Sequence, residues 1–101
     1  MSDEKFFKMM KKARELYNRG AFKEALTLIR EITDSYPTKE EGWLTRAELS
    51  FKMGMYDEAL KSYDKALEIN PNIAKAWHNR GVVLAKMGQY NEALKSYDKA
   101  L

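Results

Sequence analysis

The side chains that could carry out catalysis or bind a metal are few and poorly placed for it. His78 is the only histidine in the 101 residues, and the chain has no cysteine. Nucleophilic catalysis needs a serine, cysteine or threonine beside a general base, and a zinc site needs several nitrogen or sulfur ligands. We therefore expect His78 to be an exposed or groove-lining residue, and the sequence predicts no enzyme, no metal site and no cofactor.

Two pairs of adjacent carboxylates are the other candidates for chemistry. Glu40 precedes Glu41, and Asp57 precedes Glu58. Neighbouring residues on a helix point in different directions, and neither segment has the glycine-bearing loop of a calcium site. We interpret both pairs as solvated charges. The five glycines are dispersed, so neither a phosphate loop nor a dinucleotide-binding turn is indicated.

Composition is typical of one soluble globular domain. The chain is 45% hydrophobic and 33% charged, with a net charge of +3 from well-mixed residues, so charge alone does not indicate nucleic acid. Trp, Tyr and Lys could form a base-stacking platform, but the aromatic residues recur at packing positions. No signal-peptide pattern and no long apolar run is seen, so we expect no membrane segment and, without cysteine, a cytoplasmic location.

The chain repeats itself with an offset of 34 residues. The segment 53–67 returns nearly unchanged as 87–101, and the same offset relates Gly20, Gly54 and Gly88. This offset divides the chain into three units, 1–39, 40–73 and 74–101, which together form one domain. The third unit ends before its closing proline would fall.

Apolar residues within each unit are spaced by three and four, which predicts two helices per unit. Gly20, Gly54 and Gly88 lie between the paired helices, where a left-handed residue can close a helix. Pro37 and Pro71 end the second helices. The predicted helices are Asp3 to Arg19, Phe22 to Ser35, Lys39 to Met53, Tyr56 to Asn70, Ile73 to Met87 and Tyr90 to Leu101.

The repeated residues resemble the tetratricopeptide repeat family, whose motif reads W-x2-L-G-x2-Y, then A-x3-F, then P. The first unit is a divergent copy with Met9 in place of the tryptophan. In the other two units the matching residues are Trp43, Ala47, Gly54, Tyr56, Ala59, Tyr63, Ala66 and Pro71, then Trp77, Gly81, Tyr90, Ala93, Tyr97 and Ala100. The resemblance implies an all-α, right-handed superhelical solenoid of three antiparallel hairpins. It also implies a scaffold whose first helices line a concave groove for a peptide or helix of a partner protein.

The groove lining follows by projection of the first helices away from their packing stripe. The second unit is net acidic and lies between two basic units, which favours a ligand of complementary charge order. The residues predicted to line the groove are Met10, Lys11, Arg14, Asn18, Glu41, Leu44, Thr45, Glu48, Lys52, Lys75, His78, Asn79, Val82 and Lys86.

One subset of the family clamps the C-terminal carboxylate of chaperones with lysine, asparagine and arginine side chains. The matching positions here hold Met10 with Arg14, then Thr45, then Lys75 with Asn79, and only Lys75 agrees in type. We therefore do not expect binding of chaperone tails. Three apolar residues of the predicted groove indicate an apolar ligand component instead: Met10, Leu44 and Val82.

Some positions depart from the family motif. Lys12, Arg46 and Arg80 occupy the place of the motif leucine, and we expect their charged ends to reach solvent along apolar stems. Ser50 stands where the other units have leucine. Its hydroxyl either bonds back to a helix carbonyl or leaves space for a ligand side chain.

The C-terminal helix suggests an alternative function. No polar capping helix follows Leu101, so we expect an apolar patch formed by Leu94, Tyr97 and Leu101. Such a patch favours self-association, by end-to-end stacking or by exchange of helices between copies.

Overall fold

A computed structural model describes residues 3–101 as six α-helices. Met1 and Ser2, the first residues of the predicted first unit, lie outside the described residues. Predicted and observed helix ends agree to within one residue, and no strand occurs in residues 3–101. The helices are α1 (Asp3–Asn18), α2 (Phe22–Ser35), α3 (Glu40–Lys52), α4 (Tyr56–Ile69), α5 (Ala74–Lys86) and α6 (Tyr90–Ala100).

Each hairpin turns at a left-handed glycine, as predicted. Gly20, Gly54 and Gly88 have φ angles of +79°, +74° and +77°. The amide of Ala21 donates to the Leu16 carbonyl at 2.9 Å, and the equivalent bonds recur after the other two glycines. This pattern satisfies the last carbonyls of the first helix and reverses the chain within a few residues.

The two tryptophans hydrogen-bond α3 and α5 to the turns that precede them. Trp43 Nε1 donates to the Pro37 carbonyl at 2.9 Å, and Trp77 Nε1 donates to the Pro71 carbonyl at 2.8 Å. Both prolines therefore stop a helix and present an acceptor to the next one. The two bonds fix the start of the second and third repeats.

The helices pack in sequence, each against the next, around two apolar clusters. Leu49 from α3 lies in the cluster of the first repeat, and Ala76 and Val83 from α5 lie in the cluster of the second. Ser50 is fully buried, and its Oγ donates to the Arg46 carbonyl at 2.7 Å. The interpretation that its hydroxyl bonds back to a helix carbonyl is therefore confirmed. Among residues 3–101, no helix combines the length and the apolar character that crossing a membrane requires.

An ion-pair network joins the first two repeats. Glu58 Oε2 accepts hydrogen bonds from Arg30 Nε at 2.8 Å and from Arg46 Nε at 2.9 Å, and Arg46 Nη1 donates to Thr33 Oγ1 at 2.8 Å. The hydrogen bond from Arg30 lowers the pKa of Glu58 against the opposing effect of burial, so the carboxylate stays ionised. The expectation that Glu58 is a solvated charge was wrong, because it accepts hydrogen bonds from Arg30 across the repeat boundary and from Arg46 of its own repeat.

The basic residues at the motif leucine position do more than reach solvent. Arg46 belongs to the network, and Arg80 Nε donates to Asp64 Oδ1 at 2.6 Å while its guanidinium lies over the Trp77 ring. Lys12 is exposed. In the second and third repeats, an arginine therefore holds a first helix to a neighbouring second helix.

Two helical glycines provide a matched test of close packing. A Cβ at Gly81 would lie 2.6 Å from Tyr97 Cε1, whereas a Cβ at Gly42 would lie 3.4 Å from its nearest neighbour, Thr33 Cγ2. Alanine favours a helix over glycine by about 1 kcal/mol. We expect Gly42→Ala to raise the free energy of unfolding. We expect no such increase for Gly81→Ala, because Tyr97 must move to make room for the Cβ. Urea unfolding followed by circular dichroism measures both, and an equal gain in the two variants would contradict the packing.

Candidate functional site

Two adjoining recesses form a groove across the first helices. One has a volume of about 480 Å³ and the other of about 240 Å³, and Tyr17 and Glu48 line both. We call their combined surface the central groove. Its lining residues are Arg14, Tyr17, Asn18, Thr45, Glu48, Phe51, Lys52, Tyr56, Tyr63, Asn79, Val82 and Lys86.

Aromatic rings give the groove a rigid apolar surface. The Phe51 and Tyr56 rings lie 5.6 Å apart, and the Tyr17 ring lies 5.3 Å from that of Phe22. Lys52 Nζ lies 5.6 Å from the centre of the Tyr17 ring and 5.7 Å from that of Phe22. The ammonium group is thus held at the groove by ring faces, which attract cations.

Charged and polar groups surround this aromatic surface. Lys52 and Lys86 occupy equivalent positions of successive repeats and bring two positive charges, while Glu48 brings one negative charge. Within residues 3–101, neither lysine has a carboxylate partner at ion-pair distance. Both ammonium groups are therefore available to an acidic ligand.

Tyr63 lies deepest in the groove. Its side chain is 3% exposed. Burial, together with the negative charge of Glu48 and against the opposing hydrogen bond with Asn79, raises the pKa of its hydroxyl to about 12. The hydroxyl is consequently neutral near pH 7, so it can both donate and accept a hydrogen bond.

Eight of the residues predicted to line a groove lie in the central groove. They come from three different repeats, so stacking of the repeats brings together positions that are far apart in sequence. These residues are Arg14, Asn18, Thr45, Glu48, Lys52, Asn79, Val82 and Lys86.

Met10 was wrongly predicted to line the groove. Its side chain is 0% exposed and packs in the first apolar cluster with Phe6 and Ala13. These three residues follow one another at intervals of four and three, which places them on the same buried stripe of α1. The projection therefore wrongly placed Met10 on the exposed side of α1.

Three further predicted residues lie outside the central groove. Lys11 is exposed on α1, Leu44 is half-buried against the second apolar cluster, and Glu41 forms an ion pair with Arg14. That ion pair joins α1 and α3 and partly neutralises the arginine that borders the smaller recess.

Lys75 and His78 belong to a different surface. They line an open recess of about 610 Å³ together with Ala74, Tyr97, Ala100 and Leu101. His78 is exposed, and its ring lies 5.4 Å from that of Tyr97. Within residues 3–101, no group of three or more His, Asp or Glu side chains is placed to hold a metal ion.

The three residues predicted to form an apolar patch differ in exposure. Leu94 is 62% exposed and Leu101 is fully exposed, whereas Tyr97 is half-buried against Gly81. Tyr97 presents its remaining surface to the open recess. Two aliphatic side chains and part of an aromatic ring are therefore accessible at this end of the molecule.

Sequence reasoning missed four aromatic residues of the central groove. Tyr17, Phe51, Tyr56 and Tyr63 line it, although aromatic positions were assigned to packing between helices. A usable signal was the repeat offset, because Tyr17 and Phe51 are equivalent positions that each follow a buried residue, Leu16 or Ser50. Partial burial lets each ring contribute both to packing and to the groove.

Comparison with known proteins gives a fold, and a family match over part of the chain. A family model described as TPR repeat matches residues 48–88, and no curated protein sequence matches the chain significantly. The chain is similar to a crystal structure of MamA, with a TM-score of 0.83 and 19% identity over 87% of this chain and 52% of that one. It thus spans about half the length of that MamA chain.

Two structures with bound peptides have the same fold. The Yersinia enterocolitica type III secretion chaperone SycD, in complex with a peptide of the translocator YopD, is similar with a TM-score of 0.93 and 19% identity, covering 99% of this chain and 76% of that one. The second TPR of Spaghetti (RPAP3), bound to an HSP90 peptide, has a TM-score of 0.88 and 19% identity, covering 94% and 88%. At these identities the likeness shows the fold.

The raised pKa of Tyr63 has a measurable consequence. Because the folded pKa lies above that of an exposed tyrosine, the neutral hydroxyl stabilises the fold below about pH 10, and this contribution is lost as the pH rises toward 12. Ultraviolet absorbance titration of the folded chain should show a late ionisation that is absent from Tyr63→Phe. The control variant Tyr90→Phe removes an exposed tyrosine and should retain it. Persistence of the late ionisation in Tyr63→Phe would refute the assignment.

Proposed function

We propose that this chain is a tetratricopeptide repeat protein and a non-catalytic scaffold whose central groove binds a peptide or helix of a partner protein; the family match over residues 48–88 and the shared fold support this. The observation that carries the proposal is the aromatic groove, which is flanked by two lysines without carboxylate partners in the described residues. Sites of this kind combine apolar anchoring area with a few polar groups that fix orientation. The partner is a protein rather than a nucleic acid, and the expected location is the cytoplasm.

The groove defines the chemistry of the ligand. An aliphatic or aromatic ligand side chain can pack on Phe51 and Tyr56, where apolar area is accessible. A ligand carboxylate can pair with Lys52 and Lys86, and Asn79 can hydrogen-bond a peptide group of the ligand. The favoured ligand is a short segment with an apolar anchor and at least one acidic residue.

Bound peptides in structures of the same fold support a peptide ligand in general. The chaperone-tail clamp is not favoured for this chain. Of the positions that match the clamp, Met10 is buried and Lys75 lies in the separate recess, away from the central groove. The lysines that border the central groove are those at positions 52 and 86.

Self-association through Leu94, Tyr97 and Leu101 is the alternative function, and the exposure of the two leucines favours it. End-to-end stacking would place these residues against α1 of another copy, where Lys8 and Glu15 are exposed. Burying charges without partners costs free energy. We therefore rank peptide binding in the central groove above self-association.

Peptides selected from a random library displayed on phage test the proposal. We expect selected peptides to be enriched in acidic residues combined with aromatic or aliphatic residues. Fluorescence anisotropy with a selected peptide should show that the double variant Lys52→Glu and Lys86→Glu binds at least about tenfold more weakly, because attraction is replaced by repulsion. Both lysines are exposed, so the double variant should fold. Circular dichroism checks that its helix content is unchanged.

The matched control is Leu94→Lys, a change at an exposed position outside the central groove. It should leave the affinity for the selected peptide unchanged. Selected peptides that bind the double lysine variant as tightly as the unmodified chain, but lose affinity for Leu94→Lys, would sink the proposal.

A further inference from the structure

The central groove has an acidic group at the point where its two recesses meet. Among the described residues that line the groove, Glu48 is the only carboxylate, and it borders both recesses. Its side chain is exposed. The equivalent positions of the neighbouring repeats hold Arg14 and Val82, so this charge belongs to the second repeat alone. The packing that the repeats share therefore does not explain it.

A lysine on the same helix is placed to pair with this carboxylate but does not do so. Lys52 follows Glu48 by four residues on α3, an arrangement in which glutamate and lysine attract each other. The Lys52 Nζ instead lies 5.6 Å from the centre of the Tyr17 ring and 5.7 Å from that of Phe22. Because ring faces attract an ammonium group, Lys52 is held by the first repeat rather than by Glu48.

The arginine that borders the smaller recess is also engaged elsewhere. Arg14 forms its ion pair with Glu41. Within residues 3–101, no lysine, arginine or histidine nitrogen lies at ion-pair distance from Glu48. Charges attract each other more strongly beside apolar rings than in open water, because the effective dielectric constant is lower. Glu48 is therefore available to a cationic group of a ligand.

The smaller recess can accommodate such a group. It has a volume of about 240 Å³, and Tyr17, Asn18 and Thr45 line it together with Arg14 and Glu48. The amide oxygen of Asn18 and the hydroxyl of Thr45 can accept hydrogen bonds from an ammonium or guanidinium group. The Tyr17 ring can pack against the alkyl part of a lysine or arginine side chain.

The larger recess has the opposite charge character. Lys52 and Lys86 line this recess and not the smaller one. A peptide that crosses both recesses therefore meets an unpaired carboxylate on one side of the groove and two unpaired ammonium groups on the other. Complementary charges on such a peptide must follow the same order.

We propose that the central groove selects peptides by charge order: a lysine or arginine of the ligand pairs with Glu48 in the smaller recess, and an acidic residue pairs with Lys52 and Lys86 in the larger one. This inference rests on the proposed function, because it requires a peptide in the central groove. It makes Glu48 a specificity-determining residue. A ligand with acidic residues alone leaves Glu48 unpaired and brings like charges together.

Parallel selections test the charge order. The same random phage library is selected on the unmodified chain and on Glu48→Lys. Peptides selected on the unmodified chain should contain a basic residue in addition to the acidic and apolar residues. Peptides selected on Glu48→Lys should lose the basic residue and keep the others, because Lys52 and Lys86 are unchanged. Glu48 is exposed, so the variant should fold, and circular dichroism checks this.

A double-mutant cycle locates the basic residue of the ligand. One selected peptide is acetylated at its N-terminus, so that its amino group cannot act as the cation. Replacing its basic residue with norleucine, which keeps an aliphatic stem and lacks the charge, should weaken binding to the unmodified chain about three- to fivefold in fluorescence anisotropy. The same replacement should have no effect on binding to Glu48→Gln. The matched control Glu31→Gln removes the same charge from an exposed position of α2 outside the groove, and there the effect should persist.

Two results would overturn the inference while the proposed function stands. One is recovery of the same residues from the selections on the unmodified chain and on Glu48→Lys. The other is equal weakening by norleucine with the unmodified chain and with Glu48→Gln. In both cases the peptides would still lose affinity for the double variant Lys52→Glu and Lys86→Glu. Peptides that bind that double variant unchanged would instead contradict the proposed function itself.

Discussion

The first and second helical hairpins of this chain each depend on the next hairpin to bury their apolar side. Leu49 of the second repeat completes the apolar cluster of the first, and Ala76 and Val83 of the third repeat complete that of the second. This requirement also explains why Arg46 and Arg80 recur with the 34-residue offset, since each bonds to the second helix of the preceding repeat.

The same packing produces the central groove. Stacking aligns α1, α3 and α5, and the sides of these helices that face neither partner helix nor apolar cluster form a continuous surface. Residues just after the buried stripe, such as Tyr17 and Phe51, lie half in the packing and half in the groove. Lys52 and Lys86 occupy equivalent positions of successive repeats, so each of these two repeats places one positive charge at the groove. The proposed binding of a peptide depends on this shape, which the repeats impose.

Local features could be predicted from the sequence because they depend on short-range physics. Glycine at the left-handed turns and proline after α2 and α4 indicate where α1 to α5 end, and these predicted ends agree with the structure to within one residue. Contacts between repeats were harder to predict from the sequence, because they depend on the angle at which the hairpins stack. The projection therefore misplaced Met10 and grouped Lys75 with residues of the central groove. The adjacent-carboxylate argument likewise treated Glu58 as solvated, although it bridges two arginines. The eight predicted residues that line the central groove lie on the outward sides of α1, α3 and α5, a direction that the helix period indicates.

The most direct test of the account is nuclear magnetic resonance mapping of a phage-selected peptide on the isotopically labelled chain. Binding in the central groove predicts that the largest amide and aromatic shift changes occur at Tyr17, Lys52, Tyr56 and Asn79, whereas signals of Leu94 and Asp98 stay in place. Changes concentrated at Leu94 and Asp98, with the groove signals unmoved, would contradict the claim that the central groove is the peptide-binding surface.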